Sequence, residues 1–225
     1  MSPCTYDYDP TPRVGGTYDR MPLLASGLVA DMKRYLLGRR LDYGVATFNG
    51  WYPSNQAGDT LPRIVIPGIM TVRGPFWQAR TLVGGEPRYQ SPGGERNGAV
   101  IVVRPYAATD RAVVVEGPMD ALVAAMGSEV THVVTPGGGS HRMGGQLGIA
   151  VMGNNPGMAT LETVARQCIH LGIRSILFVP DLDSPGAFAV ALGVLAAGGF
   201  RCEMRIPPQK DLAACDDGQR KDVLR

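Results

Sequence analysis

Acidic residues stand where two strongly apolar segments of the chain end. In VVVEGPMDALVAAMG, three valines lead into Glu116, and Asp120 begins an apolar helical run. In ILFVPDLDSPGAFAV, Asp181 and Asp183 follow a similar apolar stretch. Carboxylates without a neighbouring histidine or cysteine favour hard cations, so Mg²⁺ or Mn²⁺ is the expected ligand. A pair of such ions beside phosphate oxygens is the usual arrangement for phosphoryl transfer on nucleic acids.

Two of these acids, taken alone, also have a simpler structural explanation. Asp183 precedes Ser-Pro-Gly and could cap a helix, and Asp120 could compensate the dipole of the helix that it begins. Glu116 is harder to explain in this way, because a purely structural strand exit more often carries Asn, Ser or Gly. Four acids at one sheet edge would repel one another unless a cation neutralised them, so the joint pattern favours a metal site.

The charges of the chain are unevenly distributed. Residues 33–104 contain ten Lys and Arg against four Asp and Glu, whereas residues 111–225 contain ten against eleven. A basic first half joined to an acidic second half fits a polyanion held beside a cation site. An ordinary solvated surface is the alternative explanation of the same distribution.

Length and composition predict a soluble globular protein. The 225 residues are enough to build a core, and 44% of them are hydrophobic and 19% charged. No segment reaches the roughly 20 apolar residues that a membrane helix requires, and no signal peptide is expected. The four cysteines are scattered without a C-x-x-C pair. This argues against a zinc ribbon or a disulfide framework and predicts reduced thiols in a cytoplasmic protein.

The acids belong to a region in which predicted strands and helices alternate. After Asp110, the segments AVVVE, THVVT, SILFV and FRCEM are predicted strands, with apolar helical runs after the first and around the third. Near-continuous apolar strands alternating with helices predict an α/β fold with a mainly parallel sheet covered by helices. Ligands of such sheets bind at the carboxyl ends of the strands, where Glu116 and Asp181 fall. The glycine-rich segment 137–156 is predicted as a long loop, although GIAVM within it could form a short strand.

The first half of the chain follows a different pattern. Apolar positions at helical spacing predict a helix within residues 23–41 that ends near Gly38. From residue 45 to 105, the short β-prone runs VATFNGWY, RIVIPGIM, GPFWQARTL and AVIVVRP predict a small antiparallel sheet. The resulting division is a loose N-terminal arm over 1–24, a small basic α+β subdomain over 25–107, the α/β domain over 108–212 and a tail over 213–225.

The acidic motifs resemble those of the Toprim domain that DnaG-type primases, topoisomerases and several nucleases share. The family pattern is a Glu after the first strand and D-x-D after the third, which here are Glu116, Asp181 and Asp183. The E-G-x-x-D variant of primases adds Asp120, and RIPPQKD resembles the end of the primase Toprim unit, which adds Asp211. The resemblance implies catalytic roles for the first three acids and a part in metal binding for all five.

Segments of the basic half resemble primases in particular. PRIVIPGIMTVRGPFWQARTL resembles R-x-x-F-P-I followed by G-F-x-x-R, and PRYQSPGG resembles P-K-Y-x-N-S-P, so Arg80 and Arg88 fall on motif positions. Arginines beside aromatic residues suit backbone contacts and base stacking on a single strand, which makes Arg63, Arg80, Arg88 and Tyr89 candidates for nucleic-acid binding. Lys210 is a candidate to face an incoming triphosphate. For any one arginine, surface solvation explains the residue equally well.

The resemblance implies the catalytic core of a DnaG-type, phage-like or plasmid-like primase. Such a protein joins ribonucleoside triphosphates into short RNA primers on a single-stranded DNA template. A Toprim nuclease that uses the same acids to activate water, and a nucleic-acid-binding replication accessory without synthesis, are the alternatives. The cysteine spacing that the zinc-binding module of the family requires does not occur in this sequence. Ala213 stands two residues after Asp211, where the family commonly has a second acid. A separate zinc-binding protein and a replicative helicase are therefore expected partners, in the bacterial host cytoplasm if the protein is phage-encoded.

Overall fold

The computed structural model describes residues 21–56, 61–70, 74–92, 97–127, 145–186 and 188–225. The strands in these ranges are β1 (Tyr52–Ser54), β2 (Arg63–Met70), β3 (Gly74–Thr81), β4 (Tyr89–Gln90), β5 (Ala99–Val103), β6 (Arg111–Val115), β7 (Leu147–Ala150), β8 (Ser175–Val179) and β9 (Arg201–Met204). The helices are α1 (Val29–Gly38), α2 (Tyr43–Phe48), α3 (Pro118–Met126), α4 (Met158–His170), α5 (Ala189–Ala197) and α6 (Asp217–Leu224), with 3₁₀ turns at Ser26–Leu28 and Leu212–Ala214. None of the described helices is both long and apolar enough to cross a membrane.

The described strands form one mixed sheet. Its order is β4-β3-β2-β5-β7-β6-β8-β9, and β1 also pairs with β2. Strands β7, β6, β8 and β9 are mutually parallel, whereas β1 to β5 pair antiparallel, including β5 with β7. The prediction of a mainly parallel sheet therefore holds for one four-stranded region, and the whole sheet is mixed. Pairing of Ile69 with Val100 joins the β-rich first half to the region of alternating strands and helices.

Strand β7 lies in the middle of the sheet, so the long loop predicted for residues 137–156 is wrong at Leu147–Ala150, and the alternative of a short strand in GIAVM applies there. It pairs with β5 on one side and β6 on the other. Its glycine content has a packing cause, because a Cβ on Gly148 would lie 2.0 Å from the carbonyl oxygen of Ala121 in α3. A Cβ on Gly145 would lie 1.9 Å from the carbonyl oxygen of Ala125. The glycines thus let α3 rest directly on the sheet, and they weaken the strand pattern in the sequence.

Helices cover both faces of the sheet, and the strands alternate between two cores. On β6, Val113 and Val115 face the core beneath α1, α2, α3 and α6, whereas Ala112 and Val114 face α4 and α5. Every residue of α3 is buried, because the helix lies against β5, β6 and β7 and is also contacted by α2 and the 3₁₀ turn Leu212–Ala214. This packing fixes the position of the first turn of α3 at the carboxyl end of β6.

Helix α2 replaces part of a predicted strand. The run VATFNGWY is rich in β-branched and aromatic residues, but Tyr43–Phe48 is helical and only the residues from Tyr52 join the sheet. The Asp42 side chain caps this helix by accepting a hydrogen bond from the Val45 amide at 3.0 Å. Val45 and Ala46 are then buried in the first core. The cap and one-sided burial override the local β propensity.

Residues 213–225 fold onto the domain, although the sequence suggested a tail. Asp216 and Gln219 form a reciprocal capping box at the start of α6, and Val223 and Leu224 are buried. The buried guanidinium of Arg220 donates to the Ala213 carbonyl at 2.8 Å and to the Arg40 carbonyl at 3.2 Å. Residues 1–20 of the predicted arm over 1–24, and the predicted THVVT strand, lie outside the described residues.

Candidate active site at the carboxyl edge of the sheet

Glu116 and the D-L-D segment meet because β6 and β8 are adjacent and parallel. Val115 pairs with Val179, so the two strands end at the same level. One carboxylate oxygen of Glu116, Oε1, accepts a hydrogen bond from the Asp181 amide at 3.1 Å and another from the Ser184 hydroxyl. The other oxygen, Oε2, makes no hydrogen bond within the described residues. Glu116 is therefore held in place through one of its two carboxylate oxygens.

Ser184 is a site residue that the sequence did not predict. Its hydroxyl donates to Glu116, and its backbone amide donates to the Asp181 carbonyl at 3.0 Å. In the sequence, a serine before Pro-Gly indicates a turn and nothing more. The sequence does place Ser184 next to the D-L-D motif, but it does not show that Ser184 contacts Glu116, which is 68 positions away in the chain.

Asp181 and Asp183 lie in the loop after β8, the first half-buried and the second exposed. The pKa of Asp181 is raised to about 6, first by burial and then by the charges of Glu116, Asp211 and Asp183, against the lowering effect of Lys210. The acids of both motifs therefore repel one another at this edge. Such repulsion decreases when a proton or a cation binds.

Asp120 lies beneath these acids, in the first turn of α3. Its side chain is only 7% exposed, and its Oδ1 accepts a hydrogen bond from the Ala213 amide at 2.8 Å. Burial, followed by the charges of Asp211 and Asp181, raises the pKa of Asp120 to about 7. Asp120 thus joins α3 to the segment after β9. Its partner there, Ala213, stands where the resembled family commonly carries a second acid.

The loop after β9 brings two further predicted residues to the edge. Asp211 caps the 3₁₀ turn, because its Oδ1 accepts a hydrogen bond from the Ala214 amide at 2.7 Å. The Lys210 carbonyl accepts a hydrogen bond from the Leu182 amide at 2.8 Å, which ties this loop to the loop after β8. Lys210 and Asp211 therefore lie close enough to Asp181 for their charges to change its pKa.

The donor chemistry suits a hard cation, but the side chains do not converge. Within the described ranges, no three His, Cys, Asp or Glu side chains are arranged to hold a metal ion. Three of the five acids already use one oxygen to accept a hydrogen bond from a backbone amide: Glu116 from Asp181, Asp120 from Ala213 and Asp211 from Ala214. A cation at this edge would require movement of the carboxylates that are not fixed in this way.

The residues predicted to bind nucleic acid differ in their exposure. Arg63 is 0% exposed and donates from Nη2 to the Pro87 carbonyl at 3.0 Å. Its burial conflicts with the predicted contact, because a nucleic acid cannot reach a guanidinium enclosed by the protein. Arg88 is exposed, and its backbone amide donates to Glu86 Oε2 at 2.9 Å. The side chain of Arg88 therefore remains accessible to a ligand.

Arg80 lies between two tyrosine side chains of the basic half, Tyr35 and Tyr89. Its guanidinium lies 4.8 Å from the ring centroid of Tyr89 and 5.9 Å from that of Tyr35, and it donates to both hydroxyls. Burial raises the pKa of Tyr89, Arg80 lowers it, and the charge of Asp120 raises it. Tyr89 is thus in electrostatic range of the acids. Tyr35 was not predicted, although it follows two basic residues in α1.

These elements define a mixed α/β protein with an acidic site at the carboxyl ends of parallel strands. Among solved structures, the chain is similar to a DnaG primase catalytic domain bound to single-stranded DNA, with a TM-score of 0.53. The similarity covers 82% of this chain and 68% of the other, at 15% sequence identity. At that identity the likeness is one of fold. No protein-family profile and no curated protein matches the chain.

Proposed function

We propose that the protein is a primase-type nucleotidyltransferase that synthesises short RNA primers on single-stranded DNA. The observation that carries this proposal is the gathering of Glu116, Asp181, Asp183 and Asp211 at the carboxyl edge of β6, β8 and β9. Open α/β sheets bind ligands at this edge, and the similar solved structure is a primase catalytic domain. The Toprim-like spacing of the acids supports the same reaction.

We further propose that the site takes Mg²⁺ or Mn²⁺. Asp181, Asp183 and Asp211 would hold the metal, with Glu116 beside them. The pKa of Asp181 is raised by burial and then by repulsion from these acids, and that repulsion supports a cation here. A divalent ion would supply charge stabilisation at the transferred phosphorus. The free Oε2 of Glu116 would accept the proton of a primer 3′-hydroxyl, either directly or through a water molecule.

The basic residues near the acids would hold the polyanionic substrates. Arg80 and the exposed Arg88 would contact the template backbone, and Tyr89 would offer its ring to a base. Lys210 would face the triphosphate, because its backbone is tied to the loop that carries Asp181 and Asp183. Arg63 is left out of this interface because it is buried.

The direct test is incorporation of labelled ribonucleotides on a single-stranded template, with Mg²⁺, Mn²⁺ and EDTA compared. Asp181→Asn should reduce incorporation by a factor of about 100 or more, because it removes a charge that the cation requires. Asp222→Asn is the matched control, since it makes the same change at an exposed position of α6. Full activity in the Asp181 variant would contradict the proposed role of the acids.

A non-catalytic role in binding single-stranded DNA is the second candidate. Two observations favour it: the described acids do not converge on a metal, and Ala213 replaces an acid that is common in the resembled family. Binding of template without incorporation under any divalent ion would select this role. Cleavage of single-stranded DNA without added nucleotides would instead indicate a nuclease.

A further inference from the structure

Two arginines from different parts of the chain converge on one phenol oxygen. Arg39, which follows α1, donates from Nη1 to the Tyr35 hydroxyl at 3.1 Å, and Arg80 in β3 donates from Nε to the same hydroxyl. Arg80 also donates from Nη1 to the Tyr89 hydroxyl. We refer to Tyr35, Arg39, Arg80 and Tyr89 as the Tyr35 cluster.

The Tyr35 cluster has two positive charges and lacks a carboxylate partner in the described part of the chain. Other arginines there do have one, such as Arg34 with Asp31 at 2.7 Å. Both guanidinium groups of the cluster lie 5.9 Å from the ring centroid of Tyr35, which offsets part of their mutual repulsion. A neutral phenol cannot neutralise two cations, so the arrangement favours an anion.

The unused hydrogen-bond donors of the cluster indicate what kind of anion would bind. The Tyr35 oxygen accepts two hydrogen bonds, which fills its acceptor positions and leaves its own O–H to donate outward. Nη2 of Arg80 has no hydrogen-bond partner within the described ranges. A hydroxyl donor beside guanidinium N–H groups suits the several acceptor oxygens of a phosphate.

The location of the cluster connects it to the acidic edge. The charge of Asp120 raises the pKa of Tyr89, so the Tyr89 end of the cluster lies near Asp120, while Arg39 at the other end follows the last residue of α1. An anion bound here would be held beside the acidic edge and still partly accessible from solvent. Phosphates of a nucleotide polymer or of a triphosphate meet this description.

We propose that the Tyr35 cluster is a phosphate-binding site, in which Arg39 and Arg80 contact the phosphate and Tyr35 positions both arginines. The class of ligand, a nucleotide or polynucleotide phosphate, rests on the proposed function. The site itself rests on the shared hydroxyl and on the two arginines without a described carboxylate partner.

The test compares three variants in EDTA, so that no metal contributes. Tyr35→Phe removes only the hydroxyl, Arg39→Ala removes one charge, and Arg34→Ala is a control that removes an equal charge from α1 at an exposed, ion-paired position. Binding is measured for a short oligothymidylate over a salt series and, separately, for inorganic tripolyphosphate. Thermal unfolding of each variant verifies that it is folded.

We expect Tyr35→Phe and Arg39→Ala to weaken binding about tenfold or more, with little change in Arg34→Ala. The slope of log K against log salt concentration for oligothymidylate binding should become shallower by about 0.7 for each lost phosphate contact. Losses confined to the oligonucleotide would identify the strand backbone as the ligand, and losses confined to tripolyphosphate would identify the nucleotide. If Arg34→Ala weakens binding as much as Arg39→Ala, or if neither cluster variant changes either ligand, the site is refuted. Because this assay needs no synthesis, its result is independent of whether ribonucleotides are incorporated.

Discussion

The carboxylates at the sheet edge differ in how the backbone holds them. Glu116 and Asp120 each accept a hydrogen bond from a backbone amide of a distant segment, so they fix the loops that follow β8 and β9. Asp183 is exposed and lies at the tip of one of these loops. Residues of one chemical type therefore divide between those that hold the loops in place and one that is exposed at the edge.

At the residue scale, we predict that Asp120→Asn stabilises the metal-free protein at high pH. The folded pKa of Asp120 is about 7, whereas an unfolded Asp titrates near 4. Between pH 4 and pH 7 the carboxyl of Asp120 is ionised in the unfolded chain but still protonated in the folded protein. Because its folded pKa is raised in this way, the free energy of unfolding falls as the pH rises from about 4 to about 7. Asn remains uncharged and keeps an oxygen for the Ala213 amide.

The gain from Asp120→Asn should be small near pH 4 and reach on the order of 3 kcal/mol at pH 8. Urea unfolding in EDTA at both pH values measures it, with Asp222→Asn as the control that removes an exposed carboxylate of α6. An equal gain at both pH values would mean that ionisation of Asp120 is not the cause.

At the scale of elements, the contact between α3 and β7 determines where the first turn of α3 lies. This contact has no side chain at Gly148 and brings the backbone of α3 onto the strand. Gly148 also explains why β7 was difficult to predict. The close approach of α3 requires glycine at this position, and a glycine weakens the apolar alternation by which a strand is recognised in a sequence.

We predict opposite effects for two Gly→Ala substitutions. In Gly148→Ala the new Cβ would lie 2.0 Å from the Ala121 carbonyl oxygen, so the helix would have to move and the free energy of unfolding should fall by about 3 kcal/mol or more. Gly193 lies in α5 with nothing within 4 Å of its Cβ position, and Gly193→Ala should stabilise by up to about 1 kcal/mol. Denaturant unfolding of both variants measures the difference, and similar values would refute the close contact.

The sequence predicts those elements whose pattern is determined locally. Strands β6, β8 and β9 and helices α3, α4 and α5 are confirmed, because long apolar runs between glycines or prolines leave few alternatives. The helical start of VATFNGWY could not be foreseen, since it depends on a cap at Asp42 and burial against other elements. Burial of Arg63 and the contact of Ser184 with Glu116 depend on distant partners, which residue spacing does not encode.

At the scale of the whole molecule, the sheet and its first core run across the boundary near residue 107 that the sequence suggested. This core contains Met32 and Leu36 from the first half together with Val113 and Leu122 from the second. Strand β5 also pairs with both β2 and β7. The two halves therefore share buried apolar surface in addition to the covalent connection.

We predict a single cooperative unfolding transition for the whole chain. Losing either half would expose the apolar surface that the other half covers, so neither should remain folded alone. Calorimetry measures this directly, because the van't Hoff and calorimetric enthalpies should agree for one transition. Two resolved transitions, or a proteolytic fragment that stays folded, would contradict the prediction.

The complete burial of α3 determines when this helix can unfold relative to the elements that cover it. A helix with all nine residues buried gives water and proteases no approach until a covering element has departed. Its opening must therefore follow that of α2 or of the 3₁₀ turn Leu212–Ala214, which contact it. Because Asp120 lies in α3, we expect this acid to stay in place while the outer loops of the site fluctuate.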